Sequence, residues 1–447
     1  MKHHFTSHIS QALCTLLFGV AVLLFFGMAY PHHLHYQEQY QLFLFDSNYV
    51  WDIIRMPGGV ADLLGRFCTQ FFQFAWVGAA IIAVLLSLVQ LLTLPLAKWG
   101  WLYGLSFVPS FLLWLFLLDE HALLGGVWAV LLTQFAVWGL VRLKGWTQRI
   151  AIPIILFILY WIAFGGSHYY RYPTVFPTLL YVAWVTAVIL PFLVRFCQNH
   201  FSFILVAAIM GTVVWKNANF KAEKVMQYDF MARHQQWNRI LETINTEKPN
   251  NQIGVTVQNL ALAMHGQLIN HLLDYNQNGI AGLLPDVQSD ATSPLPTAEV
   301  HYQLGMISVA QRTVFEAQEA ILDFQKSGRC YKRLAQTNLI LGSYEVARKY
   351  LMALQKTLFY RDWANETLPL LGNEEAIAKH PEYGRLRQMV CDEDYYFSDH
   401  VTPEMLEGLY ACNTDNHLAL EYLKAYYVLT GDRENYAKLL LQNSAQQ

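Results

Sequence analysis

Seven apolar stretches fill the first half of this 447-residue chain, and the charges between them sort by sign. The stretches run approximately over 9–30, 71–94, 101–118, 122–141, 150–164, 175–194 and 201–215. A helix needs roughly 20 apolar residues to cross a bilayer core, and most of these stretches approach that length. Every acid before Trp215 (Glu38, Asp46, Asp52, Asp62, Asp119 and Glu120) falls in an odd-numbered gap between them. The even-numbered gaps and the N-terminus carry only bases: Lys2, Lys98, Arg142, Lys144, Arg149 and Arg195. By the positive-inside rule this predicts a cytoplasmic N-terminus, outward acid-bearing loops and an outward C-terminal half. The predicted fold is all-α: a seven-span transmembrane bundle over residues 1–216, then an extracytoplasmic α-solenoid over residues 217–447.

Composition agrees with two dissimilar halves. The chain is 54% hydrophobic and 14% charged, and the polar residues concentrate after Asn217. A formal charge of −3 without a basic stripe argues against nucleic acid as a partner. The first stretch exceeds a typical signal-peptide h-region of about 7–15 residues, so an uncleaved anchor is expected. Cys14 and Cys197 lie in or beside spans. Cys330, Cys391 and Cys412 would meet an oxidising compartment, where a Cys391–Cys412 bridge and free buried thiols are both open.

The first outward loop, residues 31–70, is too long for a helix–helix connection of about 2–8 residues. Asp46-Ser47-Asn48 offers caps for a helix over 49–56, and Pro57-Gly58-Gly59 ends it. A second helix over 60–67 places Val60, Leu63, Leu64 and Phe67 on one face, as interfacial helices do. Three outward features hold polar side chains: His32 to Asp46, Asp119-Glu120-His121, and Ser167-His168-Tyr169-Tyr170-Arg171. His33-x-His35-x-x-Glu38 invites a metal reading, but its spacing fits no standard zinc pattern, and no metal site is assigned.

Seven spans and a large first outward loop with two amphipathic helices resemble the GT-C glycosyltransferase superfamily in architecture. The resemblance implies transfer from a lipid-linked sugar donor on the extracytoplasmic face. It implies an acid of the first loop, Glu38 or Asp46, as the base, and Arg171 and His168 as partners of the donor phosphate. A divalent cation is the cofactor that this chemistry would admit. The acid–acid pair common in such loops is absent. The chain also resembles uncharacterised bacterial envelope proteins that join a multi-pass membrane domain to a helical-repeat tail, which implies the inner membrane as its location.

In the second half, Tyr331, Leu334, Ala335, Asn338, Gly342, Tyr344, Ala347, Leu351 and Leu354 follow tetratricopeptide spacing and resemble that family. A looser unit spans 301–324, and helical pairs are readable at 222–244, 258–273 and 418–441. Ala281–Glu299, with three prolines, is expected to be a loop. Asp274 to Gly279 matches the start of a calcium loop, but Pro285 stands where the bidentate Glu belongs, so a capping turn is favoured. A solenoid offers a concave surface for partners. Two functions follow. One is a membrane-anchored domain that binds envelope proteins or a ligand; the other is a GT-C-like transferase using a lipid-linked saccharide, with membrane lipid around it. A transporter is a poorer third, since the spans carry almost no ionisable residues.

Overall fold

The computed structural model describes residues 2–56, 58–94, 100–141, 201–286, 292–321, 325–391 and 403–446, which form helices and turns with no strand among them. Two compact units divide the chain, Met1–Glu223 and Lys224–Gln447.

In the first unit α1 (Lys2–Leu24) runs into a π-helical turn, Phe25–Ala29. Gln11–Ala29 and α5 (Ala75–Thr93) are each 19 residues long and apolar enough to cross a membrane. Between them come α2 (Pro31–Glu38), α3 (Ser47–Ile54) and α4 (Gly59–Thr69). The stretch expected at 101–118 is a 3-10 segment, Gly100–Phe107, leading into α6 (Val108–Phe116); that at 122–141 is α7 (Gly125–Val141). Both are apolar but shorter than a full span. The expected spans at 150–164 and 175–194 lie outside the described residues. α8 (Phe201–Asn217) bends by 56° into α9 (Phe220–Arg233). Lys221, Glu223, Lys224, Asp229 and Arg233 make α9 too charged for hydrocarbon, so α8 alone has the composition of a span. Among the described residues there are thus two candidate spans, or three if the bent pair of α8 and α9 counts as one.

The packing is that of a bundle whose outside is apolar. Leu13, Leu16 and Leu17 on α1 and Trp76, Val84 and Leu91 on α5 are exposed, while Thr15, Gln90, Ser106, Thr93 and Gln134 are buried. Those polar groups pair across helices: Thr15 Oγ1 donates to Gln90 Oε1 (2.9 Å), Gln90 Nε2 to Ser106 Oγ (3.1 Å), and Gln134 Nε2 to Thr93 Oγ1 (3.1 Å). Apolar groups outside and polar groups paired across helices inside are what a lipid solvent favours.

α4 inverts the arrangement usual in water. Its buried residues are Gly59, Ala61, Asp62, Gly65 and Thr69, whereas Val60 and Phe67 from its apolar face are exposed. The small face lets α4 approach α7 closely. A Cβ on Gly65 would lie 2.4 Å from the Gly125 nitrogen and 2.7 Å from its Cα. Backbone cannot yield as a flexible side chain does, so Gly65→Ala should force the two helices apart. A loss of about 1–3 kcal/mol is expected, read as a lower melting temperature of the detergent-solubilised chain. A melting temperature equal to that of wild type would mean that the crossing is looser than described.

The second unit is a succession of helices packed against their chain neighbours. α9 leads to α10 (Trp237–Glu247); α11 (Gln252–Met264) is followed by the short α12 (Leu268–His271). α13 (Pro294–Leu304) packs on α14 (Ile307–Ala320), and α15 (Gly328–Ile340) on α16 (Tyr344–Leu354). Three short helices follow, α17 (Arg361–Thr367), α18 (Glu374–Lys379) and α19 (Tyr383–Met389). The unit closes with α20 (Pro403–Cys412), α21 (His417–Thr430) and α22 (Arg433–Gln446). Gly342 and Gly431, expected at turns, take φ of +77° and +73°, the left-handed conformation that ends a helix.

Several expectations are corrected or completed here. The prolines of Ala281–Glu299 do not keep that whole stretch irregular: α13 starts at Pro294, with Pro296 also in its first turn, where amide donors have no intrahelical partner to lose. Within the first unit, Phe220 packs on Tyr30 and Trp215, and the Asn219 amide donates to the Tyr30 hydroxyl (3.1 Å). Cys391 and Cys412 are joined in a disulfide, with Cα atoms 5.6 Å apart. In the calcium-like stretch, Asn276 and Asn278 donate to the Lys248, Pro249 and Asn250 carbonyls, and Asp274 meets His271 Nδ1 at 2.8 Å. Those side chains tie a turn together.

Ala335 and Ala347, the small positions of the tetratricopeptide-spaced stretch, are fully buried on α15 and α16. Ala347→Trp should therefore overpack the pair and cost about 1–3 kcal/mol. An unchanged unfolding midpoint would place Ala347 on an open face.

Candidate functional site

Two of the three polar loop features come together in the first unit. α2 begins with Pro31 at its first turn, where the fixed φ suits a helix and the missing N–H costs nothing. Along α2, His33 Nε2 lies 2.9 Å from the Leu117 carbonyl oxygen. A carbonyl only accepts, so Nε2 carries the proton. Nδ1 is then a buried acceptor without a partner among the described residues. Burial pulls the His33 pKa down to about 4, so the ring is neutral near pH 7. One turn on, Gln37 Nε2 reaches the Asp119 and Ala122 carbonyls at 3.2 and 3.3 Å. Tyr36 and Tyr40 share a hydroxyl–hydroxyl hydrogen bond, and the Tyr40 ring stands 5.3 Å from His121, edge to face.

The turn after α6 is held from within. Asp119 accepts the His121 amide at 2.8 Å and lies 3.6 Å from His121 Nδ1. The His121 contacts hold its carboxyl below the usual range. Between α2 and this turn is a cleft lined by Gln37, Tyr40, Gln41, Thr69, Glu120 and His121, with about 10 Å³ of free space. That is room for one water molecule, and the buried Gln41 Nε2 lacks a partner among the described residues. The cleft can hold a water or a single hydroxyl group in a polar, aromatic setting.

The residues singled out for catalysis are disposed differently. Glu38 is buried at the end of α2, and Asp46 is the N-cap of α3, accepting the Asn48 and Tyr49 amides at 3.0 and 3.2 Å. Neither lines the cleft. His168 and Arg171 lie outside the described residues. The metal reading of His33, His35 and Glu38 fails on geometry. On a helix His33 and His35 are about 200° apart around the axis, and among the described residues no group of three His, Cys, Asp or Glu could hold a metal ion.

Two structural contacts escaped sequence reasoning. Arg66 donates through Nε and Nη2 to Asp62 Oδ2 at 2.9 and 2.7 Å, so the loop's acid and base neutralise each other. Glu223, 190 residues from α2, accepts the His32 and His33 amides at 2.7 and 2.8 Å. The N-terminus of a helix starting at Pro31 needs such an acceptor, but nothing in the sequence says which one. Burial raises the Glu223 pKa to about 7 despite both hydrogen bonds.

In the second unit a cleft of about 200 Å³ opens beside the N-terminal turns of α11 and α13, lined by Asn251, Gln252, Thr256, Asp286, Ser293 and Thr297 among others. Its lining is rich in hydroxyl and amide groups, and its volume is below the ~300 Å³ at which small-molecule sites usually begin.

Helices long and apolar enough to cross a membrane, a polar cluster at their ends and a separate unit of packed helices define an all-helical protein compatible with membrane association. The chain belongs to a family of unknown function, DUF6057, which matches residues 7–168 and 162–446. No curated protein and no solved structure matches it.

Proposed function

We propose that this chain is a multi-pass protein of the bacterial inner membrane that crosses it seven times from a cytoplasmic N-terminus. It presents a tetratricopeptide-like helical domain outside the membrane to bind an envelope protein or ligand. The observation that carries this reading is how the first unit uses its acids. Asp46 caps a helix, Asp62 neutralises Arg66 and Glu223 caps α2, so these carboxylates hold structure together. In the second unit, by contrast, Tyr331, Lys332, Tyr350 and Trp363 stay half-exposed on packed helices.

The GT-C-like transferase is the second reading, favoured by the meeting of α2 with Asp119–His121 around a polar cleft. A divalent cation and a lipid-linked saccharide belong to that reading, with Glu38 as the base and Arg171 and His168 on the donor phosphate. The two differ in outcome for Glu38→Gln. A binding protein should leave lipid-dependent envelope glycosylation unchanged, whereas its loss at normal protein abundance would establish the transferase. Orientation has its own test. Asn217→Cys should react with an impermeant thiol reagent in intact cells, above the level of the parent chain. Labelling only after lysis would reverse the topology.

A further inference from the structure

Between α1 and α5, α4 turns its charges inward and its apolar side chains out. Val60 and Phe67 are exposed and Leu63 and Leu64 half-exposed, and their spacing of three and four puts them on one side of the helix. The two charges face the other way. Asp62 and Arg66 meet there at 2.7 Å, and Arg66 Nη1 also donates to the Tyr49 hydroxyl (3.4 Å). Ala61, Gly65 and Thr69, each four residues from the last, are buried beside them. Thr69 donates its hydroxyl within the helix to the Gly65 carbonyl (2.9 Å). Small residues at every fourth position and ions paired on the inner side are how helices pack in hydrocarbon. A helix in water shows the opposite pattern, ions out and phenylalanine in. The neighbouring elements carry the same outer surface. α3 packs on α4, and a 3-10 turn, Gln70–Gln73, joins α4 to α5. Trp51, Ile54 and Met56 at one end and Phe74, Trp76 and Val77 at the other are all exposed.

α3 differs in one respect. Asp52 and Arg55, three residues apart, are exposed alongside Trp51 and Ile54. A helix with a charged strip and an apolar strip both open suits the boundary between water and hydrocarbon, where a guanidinium meets lipid phosphate. We propose that α3 and α4 are embedded in one leaflet of the bilayer, with Val60, Leu63, Leu64 and Phe67 among the acyl chains and Asp52 and Arg55 at the level of the phospholipid phosphates. Phospholipid is the occupant because this face continues that of α5, a helix long and apolar enough to span, and has no charge with which to specify a protein. The embedding rests on the multi-pass reading and extends lipid contact from the spans to the segment between them. Thr69, on the buried side of α4, also lines the cleft beside α2, so the cleft sits near headgroup depth.

Two labels applied to the full chain in phosphatidylcholine vesicles, each read residue by residue by mass spectrometry, test it. One is a carbene released from a diazirine on a lipid acyl chain; the other is the hydroxyl radical, made in the water. Met56 and Met352 are 56% and 53% exposed, and Phe67 and Phe315 39% and 50%, so each pair would oxidise at comparable rates if both members met water. Embedded side chains lie outside the aqueous phase, so Met56 and Phe67 should oxidise about tenfold more slowly than Met352 and Phe315. Carbene insertion at Val60 and Phe67 should match that at Leu17 and Val84, on the exposed faces of α1 and α5. Oxidation of Met56 and Phe67 at the rates of Met352 and Phe315, with Leu17 and Val84 still taking the carbene, would overturn the embedding and leave the multi-pass reading intact. Protection of α4 from both labels would also overturn it, because protein would then cover the face. Absence of carbene at Leu17 and Val84 would remove the membrane reading, and the embedding with it.

Discussion

Asp229→Ala is expected to destabilise the second unit by about 3–5 kcal/mol, because it leaves a buried guanidinium without its counter-ion. Asp229 and Arg329 are both almost fully buried, and the two hydrogen bonds between them are 2.6 and 2.8 Å long. Burial works against the charged form of Arg329, and Asp229 more than offsets it, holding the guanidinium pKa above its ordinary value. Alanine removes the offset and keeps the penalty. Asp229→Asn retains an oxygen acceptor and should fall between the two. Asp229→Leu combined with Arg329→Met should recover most of the loss, since a buried pair replaced by apolar groups of similar volume is often neutral. Thermal unfolding of the full chain in one detergent, with the three variants beside wild type, reads all of this. A loss below about 1 kcal/mol for Asp229→Ala would mean that water reaches Arg329.

What the sequence made legible is what local physics controls. Gly342 and Gly431 ended helices where glycine was expected to, and Asp46-Ser47-Asn48 capped α3 as short polar side chains do. Apolar length marked the stretches 9–30 and 71–94, within which Gln11–Ala29 and Ala75–Thr93 are long and apolar enough to cross a membrane. The misses share another cause. α2 has no apolar periodicity to announce it, and its start is fixed by a proline and by Glu223 far along the chain. α13 begins among prolines that composition alone assigns to a loop. α4 buries its small face because Gly125 on α7 lets the backbones approach, which hydropathy does not encode. The candidate site was legible in the same measure. The polar loop features could be named, but that Gln37 would seize the 119–122 turn while Asp46 was spent as a cap depends on long-range packing.

Glu223 and His33 should make the first unit's stability respond to pH in opposite senses, and one substitution should uncouple them. Glu223 is raised from its ordinary 4.5 to about 7 by burial. The folded state therefore binds more protons than the unfolded one between those values, and stability falls as pH rises from 4.5 through 7. His33 is lowered from 6.5 to about 4, also by burial. The unfolded state binds the extra proton there, so stability is complete above 6.5 and is lost as pH falls towards 4. Each shift is worth about 3 kcal/mol at roughly 1.4 kcal/mol per pKa unit, and between 4.5 and 6.5 the two slopes largely cancel. Asp119, held below the usual carboxylate range by His121, titrates beneath this window. Glu223→Gln keeps an acceptor for the His32 and His33 amides and removes the titration. Relative to wild type, the variant should lose about 3 kcal/mol as pH is lowered from 7.5 to 4.5, because nothing then opposes His33. Melting curves of both proteins at several pH values in one detergent check this. Parallel curves would show that Glu223 ionises at an ordinary pKa and that its contact with α2 is open to water.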